Sequence, residues 1–221
     1  MNRLYSISSL LLAASLILTA CSALPAIGKT EQPTRMPSGA ILYTDDFSNV
    51  PSGWGISESS AAAVNYEQEG LRILVGQANT DAWLLAGKRF ADAHLEVTAT
   101  KQDVPENNLI GLVCRYQDKA HFYLLFISSD GYYGIARYSE DSYTLIGSEQ
   151  LQYASEILRE NQQYRLKADC DGDQLTLFVD DLRLKSVKDD AYSEGDVGVF
   201  AGVYAEPGVD ILFDDFLVSQ P

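Results

Sequence analysis

Phe122-Tyr123-Leu124-Leu125-Phe126-Ile127-Ser128-Ser129-Asp130-Gly131-Tyr132-Tyr133-Gly134-Ile135 is the stretch that decides the fold class. Two aromatic-rich apolar runs flank Asp130-Gly131, a dipeptide suited to the positive φ angles of a tight hairpin turn. As a two-residue turn it pairs Ser129 with Tyr132, Phe126 with Ile135 and Tyr123 with Tyr138. Just upstream, Asp118-Lys119-Ala120 turns the preceding hairpin and sets Arg115 opposite Tyr123. On this register Cys114, Phe122, Leu124, Phe126 and Ile135 face a core. Arg115, Tyr123, Tyr132 and Tyr138 then line the other face, beside Glu96 and Thr98 on a neighbouring strand.

Working outward, period-two alternation recurs at Leu95, Val97 and Ala99, at Leu175, Leu177 and Val179, and at Val197, Val199, Ala201 and Val203. Ile211 and Phe213 repeat it near the end, and Asp171-Gly172 and Asp180-Asp181 punctuate the runs as turns. No amphipathic helix of ten residues stands out, and residues 153–161 offer at most one turn. About a dozen short strands with regular turn punctuation predict an all-β domain over residues 40–221, a two-sheet antiparallel jelly-roll sandwich. Tyr43-Thr44-Asp45-Asp46-Phe47 near the start echoes Phe213-Asp214-Asp215-Phe216 near the finish, as end strands lying side by side in one sheet would.

Leu18-Thr19-Ala20-Cys21 assigns an address. The apolar run from Leu10 to Ala20 follows Arg3 and ends in small residues, the layout of a secretion signal. It is far shorter than the roughly 20 apolar residues a membrane-spanning helix needs. With a cysteine next, the motif looks like a bacterial lipobox: residues 1–20 are the signal, and Cys21 carries the lipid that anchors the chain to a membrane. Residues 21–39, with Pro25, Pro33 and Pro37, then form a tether on the order of 50 Å long. The expected location is the extracytoplasmic face of a bacterial envelope, at the cell surface or outer membrane.

The remaining cysteines fit an oxidising compartment. Cys114 shares a face with Ile110 and Leu112, and Cys170 with Tyr164, Leu166 and Ala168, so both thiols point at the core and are expected to bond. In the chain-entropy account such a bridge contributes about 4 kcal/mol. A composition 46% hydrophobic, with 13 tyrosines, describes a chain able to bury a core. The formal net charge of −15 disfavours nucleic acid and anionic lipid surfaces.

Together, Asp45-Asp46-Phe47 with Trp54, Gly111-Leu112-Val113-Cys114-Arg115-Tyr116-Gln117-Asp118, Phe122-Tyr123, Ser128 to Tyr133, Tyr164-Arg165-Leu166 and Phe213-Asp214-Asp215-Phe216 carry a resemblance. They look like a concanavalin A-like jelly roll of the LamG and glucanase type, and in particular like domains related to 3-keto-disaccharide hydrolases on bacterial lipoproteins. The resemblance implies that the outer face of one sheet is concave and receives sugars. Glu96, Arg115, Tyr123, Tyr132 and Tyr138 would serve there, since pyranose C–H faces stack on aromatic rings while charged groups fix hydroxyls. Cross-strand packing of tyrosine and arginine accounts for the same residues without any ligand. The resemblance further implies a structural Ca²⁺ near the termini, with Asp45, Asp46, Asp214 and Asp215 as its carboxylates. Hydrogen bonds from loop amides would satisfy those aspartates equally well.

The E-x-D-x-x-E pattern of glucanases, which places two carboxylates roughly 5–5.5 Å apart for retention, is absent. Glu96 has no carboxylate partner at Thr98 or Thr100, and Asp169, Asp171 and Asp173 read as a turn. His94 and His121 stand without a ligand set for zinc and read as residues at a strand start and a hairpin. The expectation is a non-catalytic, lipid-anchored module for glycans or another surface ligand. The alternatives are a hydrolase acting on 3-keto-disaccharides, with Glu96 and Arg115 its first candidates, and a structural envelope or interaction protein.

Overall fold

The computed structural model describes residues 38–49, 53–54, 57–58, 61–67, 70–102, 105–158, 162–203 and 206–221. Contacts divide the chain into residues 1–35 and 36–221, and every described residue belongs to the second unit. The expected signal, the expected lipid site Cys21 and the expected tether up to residue 37 lie outside the described residues.

The chain runs through β1 (Ile41–Asp45), β2 (Ser57–Glu58), β3 (Ala62–Glu67), β4 (Gly70–Val75), β5 (Thr80–Phe90) and β6 (Ala93–Lys101). The central strands are β7 (Asn108–Asp118), β8 (His121–Ile127), β9 (Tyr132–Ser139), β10 (Ser142–Leu145) and β11 (Gln152–Tyr153). After a single 3₁₀ turn at Ser155–Ile157 come β12 (Gln163–Asp171), β13 (Gln174–Val179), β14 (Leu182–Lys188), β15 (Gly195–Val203) and β16 (Val209–Ser219). All pairings are antiparallel. One sheet has nine strands in the order β14-β13-β12-β6-β16-β4-β3-β2, with β1 also on β16; the other has seven, β10-β9-β8-β7-β15-β5, with β11 on β9. This is the expected two-sheet jelly-roll sandwich, and the end strands do pair, Asp45 standing opposite Phe216.

Alternation explains how the sheets meet. In β6, Ala93, Leu95, Val97 and Ala99 are buried while His94, Glu96, Thr98 and Thr100 between them are half-exposed. Leu71, Ile73, Leu166, Leu175, Ile211 and Phe213 of the nine-stranded sheet join Ile110, Leu112, Leu125, Ile135, Val199 and Ala201 of the other in one core. At roughly 25 cal/mol per Å², this burial is the main force holding the layers together. Cys114 on β7 and Cys170 on β12 form a disulfide with Cα atoms 6.9 Å apart, crossing the core from sheet to sheet.

The register of the central hairpins differs from expectation. The Ser128 N–H bonds to the Tyr132 carbonyl and the Gly131 N–H to the Ser128 carbonyl, so Ser129, Asp130 and Gly131 make a three-residue loop. Gly131 takes φ 101°, a left-handed conformation that such loops require and that glycine tolerates. Pairing moves by one residue: Tyr123 faces Arg137, Leu125 faces Ile135 and Phe126 faces Gly134. Because β8 is apolar at every position after His121, alternation cannot choose its inner face, and the slip does. Tyr123, Leu125 and Ile127 therefore point into the core, while Phe122, Leu124 and Phe126, expected inside, lie on the opposite face.

Upstream, Asp118 pairs with His121 across a tighter turn, and a bulge between Cys114 and Asp118 sets Cys114 opposite Tyr123. Arg115 sits in the bulge at φ 53°. Gly195 packs against this kink so closely that a Cβ there would lie 2.3 Å from the Arg115 carbonyl carbon.

Candidate functional site

The inverted face of β8 builds a surface that sequence reasoning placed in the core. Val113, Phe122, Leu124, Phe126, Ala136 and Phe200 form a second apolar cluster on the outer face of the seven-stranded sheet, apart from the core between the layers. Phe122 is fully buried, although no third layer of structure is described over it. Its cover is a set of rings: Tyr138 stacks on it at 4.9 Å and Tyr116 at 5.5 Å, and Trp83 leans on it at 5.3 Å. Tyr143 packs on Tyr138 at 4.6 Å. Trp83, Tyr116 and Tyr138 are half-exposed, Tyr143 is 40% exposed, and each presents part of its ring to solvent.

One carboxylate borders this platform. The Tyr143 hydroxyl donates to Asp81 Oδ2 at 3.0 Å. Burial pushes the Asp81 carboxyl above its usual range against the pull of that bond, and burial together with Asp81 pushes the Tyr143 phenol up. The Tyr138 phenol is raised by burial and then by Asp141 and Asp81. Both phenols therefore lie within reach of the Asp81 carboxylate, and Tyr138 also of Asp141.

Of the residues expected on this face, Tyr138 is part of the platform and Tyr132 lies along the same side of β9, 43% exposed. Tyr132 borders a small cleft of about 330 Å³ with Leu109, Ser128, Asp130, Gln150 and Leu151. The other three candidates are elsewhere. Tyr123 is fully buried in the core; its hydroxyl donates to Asp189 Oδ1 at 2.5 Å and accepts the Tyr192 N–H. The bulge turns Arg115 off the open face, and its guanidinium, 2% exposed, bonds the Ala91 and Tyr192 carbonyls and lies 3.6 Å from Asp92. Glu96 belongs to the nine-stranded sheet and looks out from the opposite side of the sandwich.

On that opposite side Ser219, His94, Asp169, Thr176 and Ser186 stand in register across β16, β6, β12, β13 and β14. Leu217, Glu96, Lys167, Phe178 and Arg183 make the next row, two residues along each strand except β14, where a bulge makes the step three. His94 Nδ1 lies 2.5 Å from Asp169 Oδ1, and Nε2 lies 2.9 Å from Glu96 Oε1. The bond to Asp169 and then that to Glu96 raise the His94 pKa above its ordinary value, against burial. For Glu96, burial pulls upward but His94 and Arg165 outweigh it, leaving the carboxyl low. A lone strand-starting histidine was expected here, and Asp169 was expected in a turn; it lies in β12. His121 meets Asp118 at the hairpin, as expected.

Of the four terminal aspartates, Asp45, Asp46 and Asp215 border one cleft with Tyr43, Asn49 and Arg165. Asp45 accepts from the Phe47 N–H, the Tyr43 hydroxyl and Trp54 Nε1, Asp46 from Ser48, and Asp214 from the Asp215 N–H. Among the described residues no group of three or more His, Cys, Asp or Glu is placed to hold a metal ion.

No protein-family model matches the chain, and no curated protein does. Solved structures do. A carbohydrate-binding module, CBM66, from Bacillus subtilis superposes with a TM-score of 0.62 at 18% identity, covering 76% of this chain and 96% of that one. A Bacillus subtilis protein of unknown function with a galectin-like fold gives 0.59 at 14%, covering 83% and 97%. A Bacteroides ovatus mixed linkage glucan GH16 protein, solved with a G4G4G3G product, gives 0.59 at 10%, covering 80% and 100%. The fold is a concanavalin A-like jelly roll. At these identities the likeness speaks for the sandwich alone; within the jelly roll, any binding role has to be argued from the two outer faces.

Proposed function

We propose that the chain is a glycan-binding jelly roll that uses the outer face of its seven-stranded sheet and is held by lipid on Cys21 at the extracytoplasmic side of a bacterial membrane. One observation carries the reading: Trp83, Tyr116, Tyr138 and Tyr143 present half-open rings around a buried Phe122, with Asp81 at their border. A pyranose offers a C–H face to such rings and hydroxyls to such a carboxylate. The carboxylates of Asp81 and Asp141 near the rings favour neutral sugars over sulfated or carboxylated ones. Solved relatives of the fold include a carbohydrate-binding module and a glucan-product complex, which supports the ligand class.

Isothermal titration against neutral and anionic oligosaccharides tests this. Trp83→Ala or Tyr138→Ala should weaken binding of neutral sugars tenfold or more, about 1.4 kcal/mol, as truncating an aromatic anchor does. Unchanged affinity in both variants overturns the assignment of the face.

A further inference from the structure

The second outer face has its own chemistry. His94, Glu96, Asp169, Phe178 and Arg183 border a cleft of about 820 Å³ on the nine-stranded sheet, across the sandwich from the aromatic platform. Both imidazole nitrogens of His94 are taken by carboxylates, so the ring offers a ligand nothing and instead fixes its neighbours. Both oxygens of Glu96 are likewise engaged, by His94 and Arg165. Asp169 differs: Oδ1 is held by His94, while Oδ2 accepts no hydrogen bond among the described residues. Two strands away, the exposed Arg183 guanidinium makes no hydrogen bond or ion pair among the described residues. Phe178, half-exposed, stands directly opposite Arg183 and on the strand between it and Asp169.

A clamped acceptor and an open planar donor thus lie on strands roughly 10 Å apart with an apolar ring between them. We propose that this cleft is a second saccharide site, giving one jelly roll two glycan-binding faces. Asp169, Glu96 and Asp171, which also lines the cleft, oppose an anion, while Arg183 and the imidazole held between the carboxylates oppose a cation, leaving a neutral polyol as the matching ligand. Sugar hydroxyls donate to Asp169 Oδ2 and accept from Arg183, and a C–H face rests on Phe178. Two faces on one rigid domain bridge neighbouring glycan chains, raising avidity without a second domain.

The inference goes beyond the first reading and is tested separately from it. The purified full chain is titrated with β-linked tetrasaccharides of glucose, galactose, xylose and mannose. The expected result is two sites per chain for at least one of them. Asp169→Asn, Arg183→Ala and Phe178→Ala should each weaken one site tenfold or more and leave the site that Trp83→Ala removes. A single site indifferent to all three variants overturns this proposal and leaves the aromatic face standing. A single site lost in Phe178→Ala but kept in Trp83→Ala supports the cleft and overturns the aromatic face. Flat titrations with all four sugars overturn the cleft. Because the three side chains are at the surface, their removal should leave the circular dichroism spectrum unchanged.

Discussion

His94 stands directly opposite Asp169 across the β6–β12 ladder, with Nδ1 2.5 Å from the carboxylate, while its other nitrogen holds Glu96 at 2.9 Å. Only a protonated imidazole donates to both. Arg165 closes the group on Glu96, Lys167 stands beside Glu96 in the next strand, and Ser219 flanks His94 from β16.

This cluster predicts a stability maximum in mildly acidic solution. The His94 pKa is raised above 6.5, so its contribution is complete below that value and lost as pH rises through the folded-state pKa. Glu96 is lowered from 4.5, so its contribution is present above that value and lost as pH falls through the depressed pKa. Between the two, both operate. Urea unfolding across pH 4–9 should show this maximum, and His94→Gln should flatten its alkaline side at a cost of about 1.5–3 kcal/mol, the worth of hydrogen bonds to charged groups. An identical pH profile in His94→Gln would refute the clamp.

The sheet-to-sheet disulfide closes a loop of 56 residues in sequence separation. The double variant Cys114→Ala, Cys170→Ala should lose about 4 kcal/mol in the chain-entropy account. Thiol-reactive mass labelling of the unreduced chain should find neither cysteine, and labelling of both would contradict the bridge.

Arg115 serves the fold. Its guanidinium ties the Ala91 and Tyr192 carbonyls, beside the Tyr123–Asp189–Arg137 network. Arg115→Met keeps the buried volume but strands two carbonyls, and should cost at least about 2 kcal/mol. Sugar affinity, measured on the fraction that remains folded, should not change.

Much of this architecture was legible because its determinants are local. Leu95, Val97 and Ala99 alternate, Cys114 and Cys170 carry matching parity, and the Asp-Gly dipeptides mark turns. The aromatic face was not legible for a specific reason. β8 is apolar on both sides, so its orientation rests on whether the loop before Tyr132 spends two residues or three, and Asp130-Gly131 serves either count. Arg115 was misplaced because a bulge breaks the alternation that placed it. His94, Glu96 and Asp169 had readable parity, but β6 and β12 are separated by the whole five-strand run of the other sheet, and no short turn fixes their mutual register. Long-range pairing is settled by the packed core, which no local pattern records.

Asp81 gives the last prediction. Burial raises its carboxyl pKa above 3.8 despite the Tyr143 hydroxyl, so holding it ionised costs the folded state stability at neutral pH. For a raised carboxyl the folded state binds the extra proton, and its stability relative to the unfolded chain grows as pH falls through that pKa. Asp81→Asn keeps the shape and still accepts from Tyr143, so it should leave stability at pH 7 unchanged or higher. If the carboxylate is kept to receive sugar hydroxyls, the same variant should weaken neutral-glycan binding about tenfold, and wild-type affinity should decline on acidification through the raised pKa. A variant both less stable and equally avid would place Asp81 among the structural groups and remove its carboxylate from the aromatic platform's design.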